Sequence, residues 1–245
     1  MAVTQPQPPL FCGLHNGSGL HNRRTNADGL RILLADDHEM IRRGLRHIIE
    51  QHEGWRVCGE AATGREAVEL AVKVVPQVVI LDVVMPELNG LEAARQIKKK
   101  IPGAEVLIFS IDDSLELVHQ AVEAGARAYL LKSDVAKHII DAIEALGQHK
   151  LYFTSSVSKV MLEAFLRNGN EPAKEKLSSA FDLTSREREV IQLLAEGETN
   201  KSVANRLKLS VKTVETHRQT IMDKLCIHSM AGLVRYAVRN RMIAP

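Results

Sequence analysis

The feature that most limits the fold of this chain is an alternation along its first two thirds. Five short apolar runs, RILLA (31–35), WRVCGEA (55–61), VVILD (78–82), EVLIFS (105–110) and AYLL (128–131), are separated by amphipathic stretches. In the first stretch Ile41, Leu45, Ile48 and Ile49 fall at i, i+4, i+7 and i+8, which places them on one helical face. Further stretches run from about Gly64 to Val75, Leu91 to Ile101, Ser114 to Ala124 and Lys137 to Leu146. Strands that alternate with helices of this length build parallel βαβ units. Residues 29–150 are therefore expected to form an α/β domain with a doubly wound, five-stranded parallel sheet. VVIL and VLIF are apolar at every position, as strands covered on both faces should be.

The remaining segments read differently. Residues 1–28 are rich in Pro, Gly, Asn and His without apolar periodicity, and are expected to be a disordered tail in which His15 and His21 are solvated. Residues 151–178 are expected to be a linker: VSKVMLEAFL (157–166) has helical character, and NGNEPAKEK (168–176) is polar. Residues 179–245 show helical patterns and no strand pattern, so a small all-α domain is expected there, with helices near Ser185–Ala195, Lys201–Leu207, Val211–Leu225 and Met230–Asn240.

Composition narrows the classes. Apolar residues make up 45% and charged residues 25% of the 245 positions, enough for two small cores. No apolar run approaches the length of a membrane span, and MAVTQPQPPLF lacks the basic and apolar regions of a signal peptide. Cys12, Cys58 and Cys226 have neither disulfide-framework nor zinc spacing, which favours a reducing, cytoplasmic setting. The net charge of +2 conceals a split: 15 Lys/Arg against 19 Asp/Glu over 29–150 (−4), and 11 against 7 over 179–245 (+4). A split of this sign assigns any polyanionic partner to the C-terminal part.

Ligands of an open parallel sheet bind beyond the C-terminal ends of its strands. The first run ends at Asp36-Asp37, the third at Asp82, the fourth at Ser110 and the fifth at Lys132. Three carboxylates, a hydroxyl and an ammonium thus converge on one edge. Crowded carboxylates repel unless a cation offsets them, and Mg²⁺ takes one or two carboxylates together with water and phosphate oxygens. A carboxylate beside a metal ion and a lysine is a suitable phosphoryl acceptor, because the cations offset charge on the transferred group.

The C-terminal segment has helix-turn-helix character. Thr184 with Glu187 forms a capping-box pattern, and Gly197 ends the first helix. Ser210 caps a long helix whose buried stripe is Val214, Ile221 and Leu225. The opposite face carries Lys212, Thr216 and Gln219, with Thr213 and Glu215 on its flanks, in the half of a recognition helix that reaches base edges. Lys201, His217 and Lys224 are assigned to phosphates, which position a domain without specifying sequence.

The strings ADD (35–37), LDVVMPELNG (81–90), FS (109–110) and GARAYLLK (125–132) resemble the receiver domain of two-component response regulators, a flavodoxin-like fold, over about residues 29–150. The resemblance implies that Asp82 is the phosphoacceptor, and that Asp36, Asp37, Asp82 and the carbonyl of Val84 hold Mg²⁺. It implies that Lys132 and Ser110 stabilise the phosphoryl group, and that Tyr129 is a switch aromatic turning inward as Ser110 is drawn to the phosphate. Ser133 stands where many receivers have proline. LTSRE (183–187), LLAEG (193–197), NKSVA (200–204), LS (209–210) and VKTVETH (211–217) resemble the LuxR-type helix-turn-helix of the NarL/FixJ class.

Together these resemblances imply a transcription regulator rather than an enzyme. A sensor histidine kinase would be the phosphoryl donor and DNA the target. Homodimerisation would follow phosphorylation, with Leu233, Val234 and Ala237 of the last helix serving either the dimer or the domain core. RNA polymerase is a further partner within that class. A haloacid-dehalogenase-type phosphatase would need a second acid two residues after the aspartate, and Val84 stands there. A DNA-binding protein whose receiver is a phosphorylation-independent dimerisation module is the alternative left open.

Overall fold

The computed structural model describes residues 29–155, 157–159 and 183–244. The expected tail, most of the expected linker and most of its possible helix lie outside the described residues. The first domain runs β1 (Leu30–Ala35), α1 (Glu39–Glu50), β2 (Trp55–Ala61), α2 (Gly64–Val74), β3 (Val78–Asp82), α3 (Gly90–Lys100), β4 (Glu105–Ser110), α4 (Leu115–Glu123), β5 (Ala128–Leu131) and α5 (Val135–Gly147). Every apolar run is a strand, and each stretch between them is a helix.

The sheet departs from expectation in one respect. It has six strands in the order β2-β1-β3-β4-β5-β6, because β6 (Tyr152–Phe153), from within the expected linker, pairs in parallel with β5. Two residues leave no period in a sequence. They are held by tertiary contacts: the Tyr152 N–H donates to the Arg127 carbonyl at 3.0 Å, and the Tyr152 hydroxyl lies 3.0 Å from His138 Nδ1 on α5.

Alternate residues of the strands enter two cores. Leu33, Val79, Leu81, Val106, Ile108 and Tyr129 pack with α2, α3 and α4. Ile32, Leu34, Ile80, Leu107, Phe109 and Leu130 pack with α1 and α5 on the opposite face. This two-sided burial explains why β3 and β4 are buried at every position. All strands are parallel, but the order in which the chain adds them reverses at β1, with β2 on one side and β3 on the other, so the C-terminal ends of β1 and β3 flank a crevice.

The second domain contains α6 (Ser185–Ala195), α7 (Asn200–Leu207), α8 (Val211–Lys224) and α9 (Met230–Arg239). Thr184, Thr199, Ser210 and Ser229 each cap one of these helices by accepting a backbone N–H, and Thr184 with Glu187 forms the full capping box. Val190, Ile191, Val203, Leu207, Val214, Ile221, Leu233 and Ala237 make its core. Leu233 and Ala237 are thus intradomain core residues. No helix among the described residues is long and apolar enough to cross a membrane.

Candidate functional site

The crevice between β1 and β3 brings the strand-end residues together. Asp36 and Asp82 are buried, and Lys132 Nζ lies 2.8 Å from an oxygen of each. Lys132 also stands 5.3 Å from the Phe109 ring centroid, so its ammonium is held from below as well. Asp37 is exposed and pairs with His38 at 2.7 Å. Ligand atoms of Asp36, Asp37, His38 and Asp82 all lie within 4.8 Å of one another.

Burial, together with the charges of Asp36 and Asp37, pushes the Asp82 carboxyl up to about 6 despite its bond to Lys132. Loss of solvent alone would lower the Lys132 pKa, but the bonds to Asp36 and Asp82 outweigh it, and the pKa is raised. Three carboxylates facing one ammonium leave excess negative charge, which suits a hard divalent cation. The all-oxygen preference of such a cation selects Asp36, Asp37 and Asp82 over the imidazole of His38. His38 was not anticipated; as the residue preceding α1, it braces Asp37 instead.

Ser110 ends β4 and is buried. Its Oγ accepts the N–H of Asp112 at 3.1 Å. The Tyr129 hydroxyl donates to the Asp112 carbonyl. Burial raises the Tyr129 pKa, so the phenol stays protonated and able to donate. The ring is already fully buried.

On α8, Lys212, Glu215, Thr216 and Gln219 are exposed, and Thr213 and His217 are half-buried. Lys201 on α7 is exposed. Ser210 is engaged as the cap of α8, with its Oγ accepting the Thr213 N–H at 3.0 Å. Lys224, half-buried, pairs with α6: its ammonium lies 2.8 Å from both carboxylate oxygens of Glu187.

One set of residues went unread in the sequence. A polar stripe on α6 packs onto the first domain. Gln192 is buried: its side-chain carbonyl accepts the Asn89 N–H at 2.7 Å, and its amide donates to the Met85 carbonyl at 2.8 Å. Glu196 accepts the Glu87 N–H at 3.0 Å, Glu189 bonds Gln96 at 2.7 Å, and Arg188 pairs with Glu92 at 3.0 Å. Arg206 pairs with Glu87 at 2.6 Å. Below α9, Arg241 pairs with Asp112 through two nitrogens at 2.9 and 2.8 Å. The spacing of 189, 192 and 196 lies on one helical face, but a solvated face would read the same.

Comparison with known proteins covers both domains. Residues 32–144 match the family described as the response regulator receiver domain, and residues 182–237 match the bacterial regulatory proteins of the luxR family. The chain is 38% identical over 216 residues to the transcriptional regulatory protein LiaR of Bacillus subtilis (strain 168), covering 87% of this chain and 99% of LiaR. A two-component response regulator of the LuxR family from Aurantimonas sp. SI85-9A1 is 34% identical, with a TM-score of 0.54, over 56% of this chain and 99% of that one. The structure of two RcsB dimers bound to two parallel DNAs is similar at 25% identity and a TM-score of 0.52, over 85% of this chain and 97% of RcsB.

Proposed function

The chain belongs to the response regulators that join a receiver domain to a LuxR-type helix-turn-helix, and from that premise we propose that it controls transcription through a phosphoryl group carried on Asp82. The observation that carries this reading is the bridge of Lys132 between the buried carboxylates of Asp36 and Asp82, at 2.8 Å each, at the C-terminal edge of the sheet. A buried carboxylate beside a fixed ammonium is positioned to attack phosphorus and to have the added charge offset.

Asp36, Asp37, Asp82 and the Val84 carbonyl would hold Mg²⁺, which when bound offsets charge on the oxygens of the transferred group. An oxygen of Asp82 forms the new bond to phosphorus as the bond to the donor nitrogen of a kinase histidine breaks. Lys132 then moves from its two carboxylates toward the phosphoryl oxygens, and the Ser110 hydroxyl donates to one of them. The second domain reads DNA with α8: Lys212, Thr216 and Gln219 meet base edges, flanked by Thr213 and Glu215. Lys201, His217 and the α8 start at Ser210 meet phosphates. The RcsB dimers on DNA support two copies of this chain acting on a paired site.

The test is direct. The full chain is incubated with acetyl phosphate and Mg²⁺ and its intact mass is measured. Wild type is expected to gain one phosphoryl group, and Asp82→Ala none. An equal gain in both removes Asp82 from the role.

A further inference from the structure

The second domain grips both loops that frame the acidic crevice. On one side, Gln192 and Glu196 bind the loop between β3 and α3, at Met85, Glu87 and Asn89. Glu87 is held there with φ of 66°, a left-handed conformation that a non-glycine residue keeps only when its surroundings enforce it. This loop begins one residue beyond Asp82. On the other side, Arg241 holds Asp112, in the loop after β4.

Asp112 is the junction of the second grip. Its N–H donates to Ser110 Oγ at 3.1 Å, its carbonyl accepts from Tyr129, and one carboxylate oxygen accepts the Ser114 N–H at 2.8 Å. The other carboxylate oxygen takes Arg241. Burial opposes ionisation of Asp112, but the Ser114 N–H and Arg241 outweigh it and keep the carboxyl below its usual range. One residue thus links the hydroxyl at the end of β4 to the C-terminal end of the DNA-binding domain. The α8 face read above as meeting bases is exposed in this docked arrangement, so the docking does not act by covering that face.

We propose that Arg241 is a positioning residue for the phosphorylation site: its ion pair with Asp112 holds the β4–α4 loop in the arrangement in which Ser110 Oγ takes the Asp112 N–H. The proposal rests on the reading of Asp82 as phosphoacceptor. A phosphoryl group that draws the Ser110 side chain toward itself stretches the Ser110–Asp112 contact, and the loop then pulls against Arg241. Docking and phosphorylation oppose each other, and by linkage each weakens the other by the same factor.

The experiment uses the full chain with acetyl phosphate and Mg²⁺, following the rate of mass gain for wild type, Arg241→Gln, Asp112→Asn, their double variant and Arg241→Lys. Either single substitution is expected to raise the maximal rate about fivefold, the scale of one partly exposed ion pair. The acetyl phosphate concentration for half-maximal rate stays unchanged. The double variant should match the singles, and Arg241→Lys should stay near wild type. Amide exchange over residues 111–115, measured without phosphodonor, should quicken in Arg241→Gln. Wild-type rates in every variant, with normal mass gain, overturn the positioning role and leave Asp82 standing. Additive effects in the double variant also overturn it, since the two residues would then act separately. Absence of mass gain in all proteins, wild type included, overturns the reading of Asp82 and this proposal with it.

Discussion

Asp82 sits where burial and two neighbouring carboxylates oppose its ionisation, yet the proposed chemistry requires the carboxylate. Its pKa is about 6 in the folded chain against an ordinary 3.8. The folded state therefore binds more protons than the unfolded state between those values, and stability falls as pH rises through that window. Above about pH 6 the penalty is fully present. In metal-free buffer at pH 7, Asp82→Asn is expected to stabilise the chain by about 1–2 kcal/mol, the gain being trimmed because Lys132 loses one of two partners. Below pH 4 the difference should vanish. Urea midpoints across pH 4–8 check this, and a destabilised variant at pH 7 would contradict it. Asp36, Asp82, Ser110 and Lys132 were legible in the sequence because a strand pattern fixes where a strand ends. The engagement of Lys224 with Glu187 and the buried pose of Tyr129 were not, because each depends on a partner distant in sequence.

At the scale of elements, α3 begins against the backbone of Asp82 and Val83. The Gly90 N–H donates to the Val83 carbonyl at 2.8 Å, and a Cβ on Gly90 would stand 1.8 Å from the Asp82 carbonyl oxygen. Such an overlap with backbone forces α3 away from β3. Gly90→Ala is therefore expected to cost about 1–3 kcal/mol, as overpacking typically does. Urea denaturation measures the loss, and slowed phosphoryl uptake should accompany it. An unchanged midpoint would show that α3 is free to shift. The boundaries of β1 to β5 followed from apolar runs, since both faces of each central strand are buried. The strand β6 did not, because two residues carry no period. The docking face of α6 also escaped, because Glu189 and Gln192 are buried by another domain rather than by their own, and polar residues of that kind read as solvated.

The whole molecule joins an acidic receiver to a basic helix-turn-helix through direct contacts as well as through the chain. Those contacts fall on the loops after β3 and β4, the two segments that a phosphoryl group on Asp82 would disturb, so the site and the DNA-binding domain share a boundary. A change of a few ångströms at such a boundary is enough to bias a docked and an undocked arrangement. Binding of the full chain to a duplex that it has itself selected from a random pool, with and without acetyl phosphate and Mg²⁺, tests that coupling most directly when repeated with Asp82→Ala. Phosphorylation is expected to tighten wild-type binding about tenfold, within the usual range of allosteric coupling, and to leave Asp82→Ala unchanged. Wild-type binding that ignores the phosphodonor, or an equal response in the variant, would contradict phosphoryl control through Asp82.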